Sequence, residues 1–108
     1  LRGGGRRYRA AWGPDVEPGS CPHSLAIPRE IRQLSLTLRG WRDGDRIDLP
    51  GGRIKLKELF NRRRVPRSER PRLPLLVAGR ADVLWVPGIE NALHDEATEE
   101  DWWIGVTG

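Results

Sequence analysis

The chain has 108 residues, a formal net charge of +4, one cysteine and no methionine. That length favours one domain with a modest core. The lone Cys21 excludes an intrachain disulfide and a cysteine-rich metal site, no run nears the ~20 apolar residues that cross a bilayer, and the basic N-terminus lacks the apolar stretch of a signal peptide.

Residues 2–12 are expected to form a strand with Tyr8, Ala10 and Trp12 on one face, and 13–23 a Pro/Gly-rich loop. Leu34, Leu36 and Leu38 alternate with polar residues, the pattern of a strand with one buried face. Arg42 to Asp45 reads as a turn, Arg46 to Leu49 as a short strand and Pro50-Gly51-Gly52 as a second break. The principal helix follows. Leu56, Leu59 and Phe60 lie at i, i+3 and i+4 and make one apolar stripe. Glu58 stands four residues before Arg62, the favourable order for an exposed pair. Arg62, Arg63 and Arg64 fall in the last turn, where cations suit the helix dipole. Val65 precedes Pro66 and is pushed out of the helical region. Residues 73–78 and 82–87 read as two strands across Gly79-Arg80-Ala81, apolar enough for burial on both faces. An acidic segment comes next, then a last strand over 102–106. The order predicts a small α+β domain with mostly antiparallel pairing, β-sandwich-like, with one principal helix.

Charge is segregated along the chain. Residues 53–72 carry nine Lys or Arg against only Glu58 and Glu69, a net +7. Residues 90–101 carry six acids and no Lys or Arg. All but Lys55 and Lys57 of the nineteen basic residues are Arg, whose planar fork suits phosphate better than a point charge. A GC-rich genome would favour Arg equally well. Charge alone therefore leaves two readings open: a solvated basic face, or a surface for polyanions. The narrow apolar stripe leaves the helix cations outward, and Pro66, Pro71 and Pro74 stiffen the loop that holds Arg67, Arg70 and Arg72. Less entropy is then lost on binding.

Catalytic chemistry is hard to assemble. His23 and His94 lie in expected loops, and Cys21-Pro22-His23 has no framework to orient a nucleophile–base pair. The acidic segment shows no metal-ligand spacing and reads as a solvated surface. Gly51-Gly52 lacks the Lys-Ser/Thr ending of a phosphate loop. Trp41, Trp85 and Trp102 or Trp103 are expected in the core.

An ordered set of motifs, Gly44-Asp45-Arg46, Lys55-Leu56-Lys57-Glu58-Leu59-Phe60, Val65-Pro66, Arg70, Leu73-Pro74-Leu75-Leu76 and Trp85-Val86-Pro87-Gly88, resembles the C-terminal domain of bacterial tRNA(Ile)-lysidine synthetase. The match is dense over about 41–89. Residues 90–108 form an acidic, Trp-containing end outside that core. The resemblance implies a single domain over 1–108 that is a fragment of a longer cytoplasmic ligase. The family joins lysine to the wobble cytidine of an isoleucine tRNA, using ATP and Mg2+. Catalysis belongs to an N-terminal domain with an SGG-x-DS-like loop. No such loop occurs here, so neither a catalytic residue nor a cofactor is expected in this chain. The implied fold is similar to a domain of the phenylalanyl-tRNA synthetase β-subunit. The implied partners are the acceptor stem of isoleucine tRNA, the catalytic domain of the same chain and a second copy of the parent in a homodimer, with no membrane. An A-form stem is read through phosphates and 2′-hydroxyls, which Arg and Lys on a rigid scaffold can contact. The expected RNA contacts are Arg46, Lys55, Lys57, Arg62, Arg63, Arg64, Arg67 and Arg70. Arg46 could instead pair with Asp43 or Asp45. The alternative function is a protein-interaction module in which the basic stretch docks an acidic surface.

Overall fold

The computed structural model describes residues 2–3, 9–13, 23–93 and 102–107. The strands are β1 (Arg2–Gly3), β2 (Arg9–Gly13), β3 (His23–Ile27), β4 (Leu36–Arg39), β5 (Arg46–Leu49), β6 (Gly52–Lys55), β7 (Leu75–Ala78), β8 (Asp82–Val86), β9 (Glu90–Asn91) and β10 (Trp102–Thr107). The helices are α1 (Arg29–Arg32) and α2 (Leu56–Arg62), with a 3-10 turn at Arg70–Arg72.

Two sheets form. The larger runs β1-β4-β7-β8-β5-β6, and β9 adds to the far end of β8. The smaller runs β2-β10-β3. Pairing is antiparallel except at β1–β4 and β5–β8. β10, expected as a closing strand, is the centre of the smaller sheet.

The apolar pattern of β7 explains the layering. Leu76 and Ala78 enter one core with Leu25, Ile27, Leu36, Leu38, Ile104 and Val106, so this core joins the two sheets. Leu75 and Val77, on the opposite face of β7, enter a second core with Ile47, Leu56, Leu59, Phe60 and Val65. The centre of the larger sheet is thus buried on both faces, by the smaller sheet and by α2, and β7 has to be apolar throughout. In β8 the register skips Leu84: Trp85 faces Leu76 while Val83 faces Val77. This bulge turns Trp85 toward the inter-sheet core and Val83 toward the helix core, although simple alternation would put both on one face.

α2 starts at Leu56 directly after β6, and the Leu56 N–H donates to the Asp45 carbonyl at 3.0 Å. It ends in a Schellman motif. Val65 N–H donates to Phe60 O at 2.9 Å and Arg64 N–H to Asn61 O at 3.2 Å, while Arg64 takes φ 54°.

Several expectations change. Leu34 does not belong to the strand: it follows α1, which starts after Pro28, and is 47% exposed. Gly52 belongs to β6 rather than to a break, and β5 and β6 pair across Pro50-Gly51. His23 opens β3 rather than closing a loop. Residues 2–3 and 9–13 lie in different sheets instead of one strand. Trp85 is buried, and Trp41 packs edge-on against Phe60 at 5.6 Å. Residues 4–8, Cys21, His94 and most of the acidic segment lie outside the described residues.

Candidate nucleic-acid interface

The turn that leads into Arg46 is held by an ion pair whose acid is buried. Asp45, 2% exposed, accepts from both terminal nitrogens of Arg39 at 2.7 and 2.8 Å and from the Arg42 N–H at 2.8 Å. Arg39 also donates to Gly40 O and Arg80 O, each at 2.8 Å. The hydrogen bonds that Arg39 donates to Asp45 raise its pKa above its ordinary value against an opposing desolvation. Asp45 in turn holds both ends of the 42–45 turn. Its carboxylate takes the Arg42 N–H, and its own N–H donates to Arg42 O at 3.2 Å.

This turn forms one wall of a cleft of about 270 Å³ with Trp41, Asp43 and Gly44. Arg46, Lys55 and Lys57 line the remainder. Arg46 and Lys55 are register partners across β5 and β6, and Lys57 is the second residue of α2. All three are exposed, and none forms an ion pair among the described residues. The proposed pairing of Arg46 with Asp45 does not occur, because Arg39 occupies that carboxylate. Three cations therefore converge beside a locked turn.

The rest of the basic stretch divides in three. Arg62 pairs with Glu58 and Arg63 with Glu90, each at 2.8 Å. Arg53 is tied to Asp48 and Asp82, and its bond to Asp82 raises its pKa. Arg64, Arg67 and Arg72 are exposed and unpaired among the described residues. Arg70 corrects the expectation of an outward contact. It is 7% exposed, its Nε donates to Val65 O at 3.0 Å and its NH2 to Asn61 Oδ1 at 2.9 Å. Its guanidinium lies 5.5 Å from the Phe60 ring centroid. Its two hydrogen bonds run to Asn61 in α2 and to Val65 just past the helix, so Arg70 clamps the 3-10 turn to the helix end instead of standing outward.

Sequence reasoning missed Asp45 as the organiser of the cleft. It also missed a second cavity of about 300 Å³ with His23, Glu69 and Arg72 on its walls. Among the described residues no three His, Cys, Asp or Glu converge to hold a metal ion, and no helix is long and apolar enough to cross a membrane.

The family model "TilS substrate C-terminal domain" matches residues 36–105. The chain belongs to this family. The match runs past 41–89 on both sides, taking in β4 and the acidic segment. A tRNA(Ile)-lysidine synthase of Thermotoga sp. strain RQ2 is 48% identical over 68 residues, 63% of this chain and 16% of that protein. That of Geobacillus kaustophilus is 43% identical over 76 residues, 68% of this chain and 15% of that protein. A bifunctional protein TilS/HprT of Listeria monocytogenes is 38% identical over 75 residues, covering 68% and 12% of the two chains. The chain thus matches under one-fifth of the length of these relatives. A crystal structure of a TilS C-terminal domain superposes with a TM-score of 0.66 at 26% identity, covering 92% of this chain and 81% of that one. The TilS C-terminal fold is therefore the fold of this chain.

Proposed function

We propose that this domain binds tRNA for a tRNA(Ile)-lysidine synthetase, gripping the acceptor stem while a separate catalytic domain uses ATP and Mg2+ to attach lysine to the wobble cytidine in the cytoplasm. The observation that carries the reading is the convergence of Arg46, Lys55 and Lys57 beside the turn locked by Arg39 and Asp45. Arg46, Lys55 and Lys57 all fall within the motifs by which the sequence resembles the family. A duplex backbone offers closely spaced phosphates, and three cations on a rigid frame can meet them without first breaking ion pairs. Arg64, Arg67 and Arg72 extend the basic surface along the segment after α2. The domain supplies binding rather than chemistry, so its effect on the parent enzyme is on substrate affinity and placement.

Titration with isoleucine tRNA and with a DNA duplex at several salt concentrations tests the reading. Each phosphate neutralised adds roughly −0.7 to −0.9 to the log–log salt slope. Tighter binding of tRNA with a steep slope supports it, whereas a flat slope or no binding at low salt defeats it.

The second reading, a protein-interaction module, draws on the Arg63–Glu90 pair, which joins the basic stretch to the start of the acidic one. Under this reading Arg62→Glu, Arg63→Glu and Arg64→Glu together abolish self-association and leave tRNA binding intact.

A further inference from the structure

We infer that the second cavity accepts a single unpaired nucleobase next to the duplex surface. The inference rests on the tRNA-binding reading and adds the class of nucleotide that the domain takes beyond the stem.

The cavity holds about 300 Å³, ample for one base. Its walls divide chemically. Leu73, Pro74, Pro87 and Val106 supply an apolar lining that suits the faces of a ring. His23 adds an aromatic plane. Gly88 lets that plane lie close, since a Cβ there would sit 3.0 Å from the imidazole Cε1. Arg72 and Glu69 supply the charge at the walls. A free anion would meet the Glu69 carboxylate as well as Arg72. A nucleotide uses both, with its phosphate toward the arginine and a base N–H or amino group donating to the carboxylate. Among the described residues Glu69 makes no ion pair, although Arg67, Arg70 and Arg72 are close in sequence. Its acceptor is open to a ligand.

The cavity is joined to the basic cleft by fixed contacts. Trp41 lines the cleft and packs on Phe60, Phe60 carries Arg70, and Arg70 opens the 3-10 turn that ends at Arg72 on the cavity wall. The same clamp therefore positions both. Stacking on a protein ring tolerates any base and needs the base out of its helix. The fitting ligand is thus a nucleotide beyond a duplex end, not one within it.

The test compares a blunt RNA duplex with the same duplex carrying a four-nucleotide 3′ overhang, both titrated into the 108-residue chain. The overhang is expected to tighten binding by at least about fivefold, the lower range for one stacked base. His23→Ala removes that gain and leaves blunt-duplex affinity unchanged, whereas His23→Phe retains it. Equal affinities for the two duplexes, or a gain that survives His23→Ala, overturns the inference. The tetranucleotide alone, titrated by NMR at millimolar concentration, is expected to shift the His23 and Val106 resonances. Absence of those shifts also overturns it. Failure of the blunt duplex to bind counts against the tRNA-binding reading, and the tetranucleotide shifts judge the cavity separately.

Discussion

Arg39 and Asp45 meet side-on, with two hydrogen bonds of 2.7 and 2.8 Å, and the Asp45 side chain is only 1% exposed. This pair ties the end of β4 to the turn before β5, and so holds the strand that carries Arg46. Removing one partner of a buried pair strands the other charge, at a cost of about 3–5 kcal/mol. Arg39→Ala, which strands the buried Asp45 carboxylate, should lower stability by that order in urea unfolding, and Asp45→Ala by less, because Arg39 is only partly buried and keeps the Gly40 and Arg80 carbonyls. Arg39→Lys should not restore it, because an ammonium cannot reproduce the two-pronged contact.

The same pair has a defined pH behaviour. The folded pKa of Arg39 is raised by its hydrogen bonds to Asp45. A raised cation contributes stability that is complete below its unfolded pKa and is lost only as pH climbs through the folded value. Both lie far into the alkaline range. The stability difference between wild type and Arg39→Ala should therefore stay flat from about pH 6 to about pH 9, as read from urea midpoints. A decline across that window would contradict the assignment.

Arg64 occupies the left-handed position of the α2 C-cap at φ 54°, a site that favours glycine. A side chain there costs roughly 1–2 kcal/mol. Arg64→Gly should raise the unfolding free energy by about 1 kcal/mol, seen as a higher urea midpoint with an unchanged slope. It should also weaken tRNA binding and reduce the salt slope by roughly 0.7. Stabilisation combined with weaker binding would show strain kept for function.

Arg70 and Arg53 provide contrasting controls. Arg70→Ala removes two hydrogen bonds from a buried guanidinium, each worth about 1.5–3 kcal/mol when charged. It should unfold at clearly lower urea. Under conditions where it remains folded, its salt slope should match wild type. Arg53→Ala, with its guanidinium already held by Asp48 and Asp82, should change the salt slope little and stability by under about 0.5 kcal/mol.

Burial on two faces made β7 legible, because a strand covered on both sides has to be apolar throughout. The helix stripe of Leu56, Leu59 and Phe60 was legible for the matching reason, and all three are buried. Leu34 misled because its spacing continues the alternation of Leu36 and Leu38, and periodicity carries no record of the turn that separates them. β6 escaped notice as an edge strand in which only Ile54 is partly covered. It has almost no apolar pattern to show. The family was readable from the order of short motifs. The site was only partly readable, since charge counts arginines without saying which way they face. Arg70 turns inward because Phe60, Asn61 and Val65 O converge on it, and that convergence exists only in the fold. Asp45 looked like an ordinary turn residue for the same reason, its partner lying on another strand.

The central claim is that Arg46, Lys55 and Lys57 act together on an RNA backbone. The direct measurement is the salt dependence of isoleucine tRNA binding for wild type and for the triple variant Arg46→Ala, Lys55→Ala, Lys57→Ala. Three lost phosphate contacts should make the slope shallower by about 2 and reduce affinity at low salt, with the unfolding midpoint nearly unchanged. A triple variant that binds tRNA with wild-type affinity and slope would contradict the account.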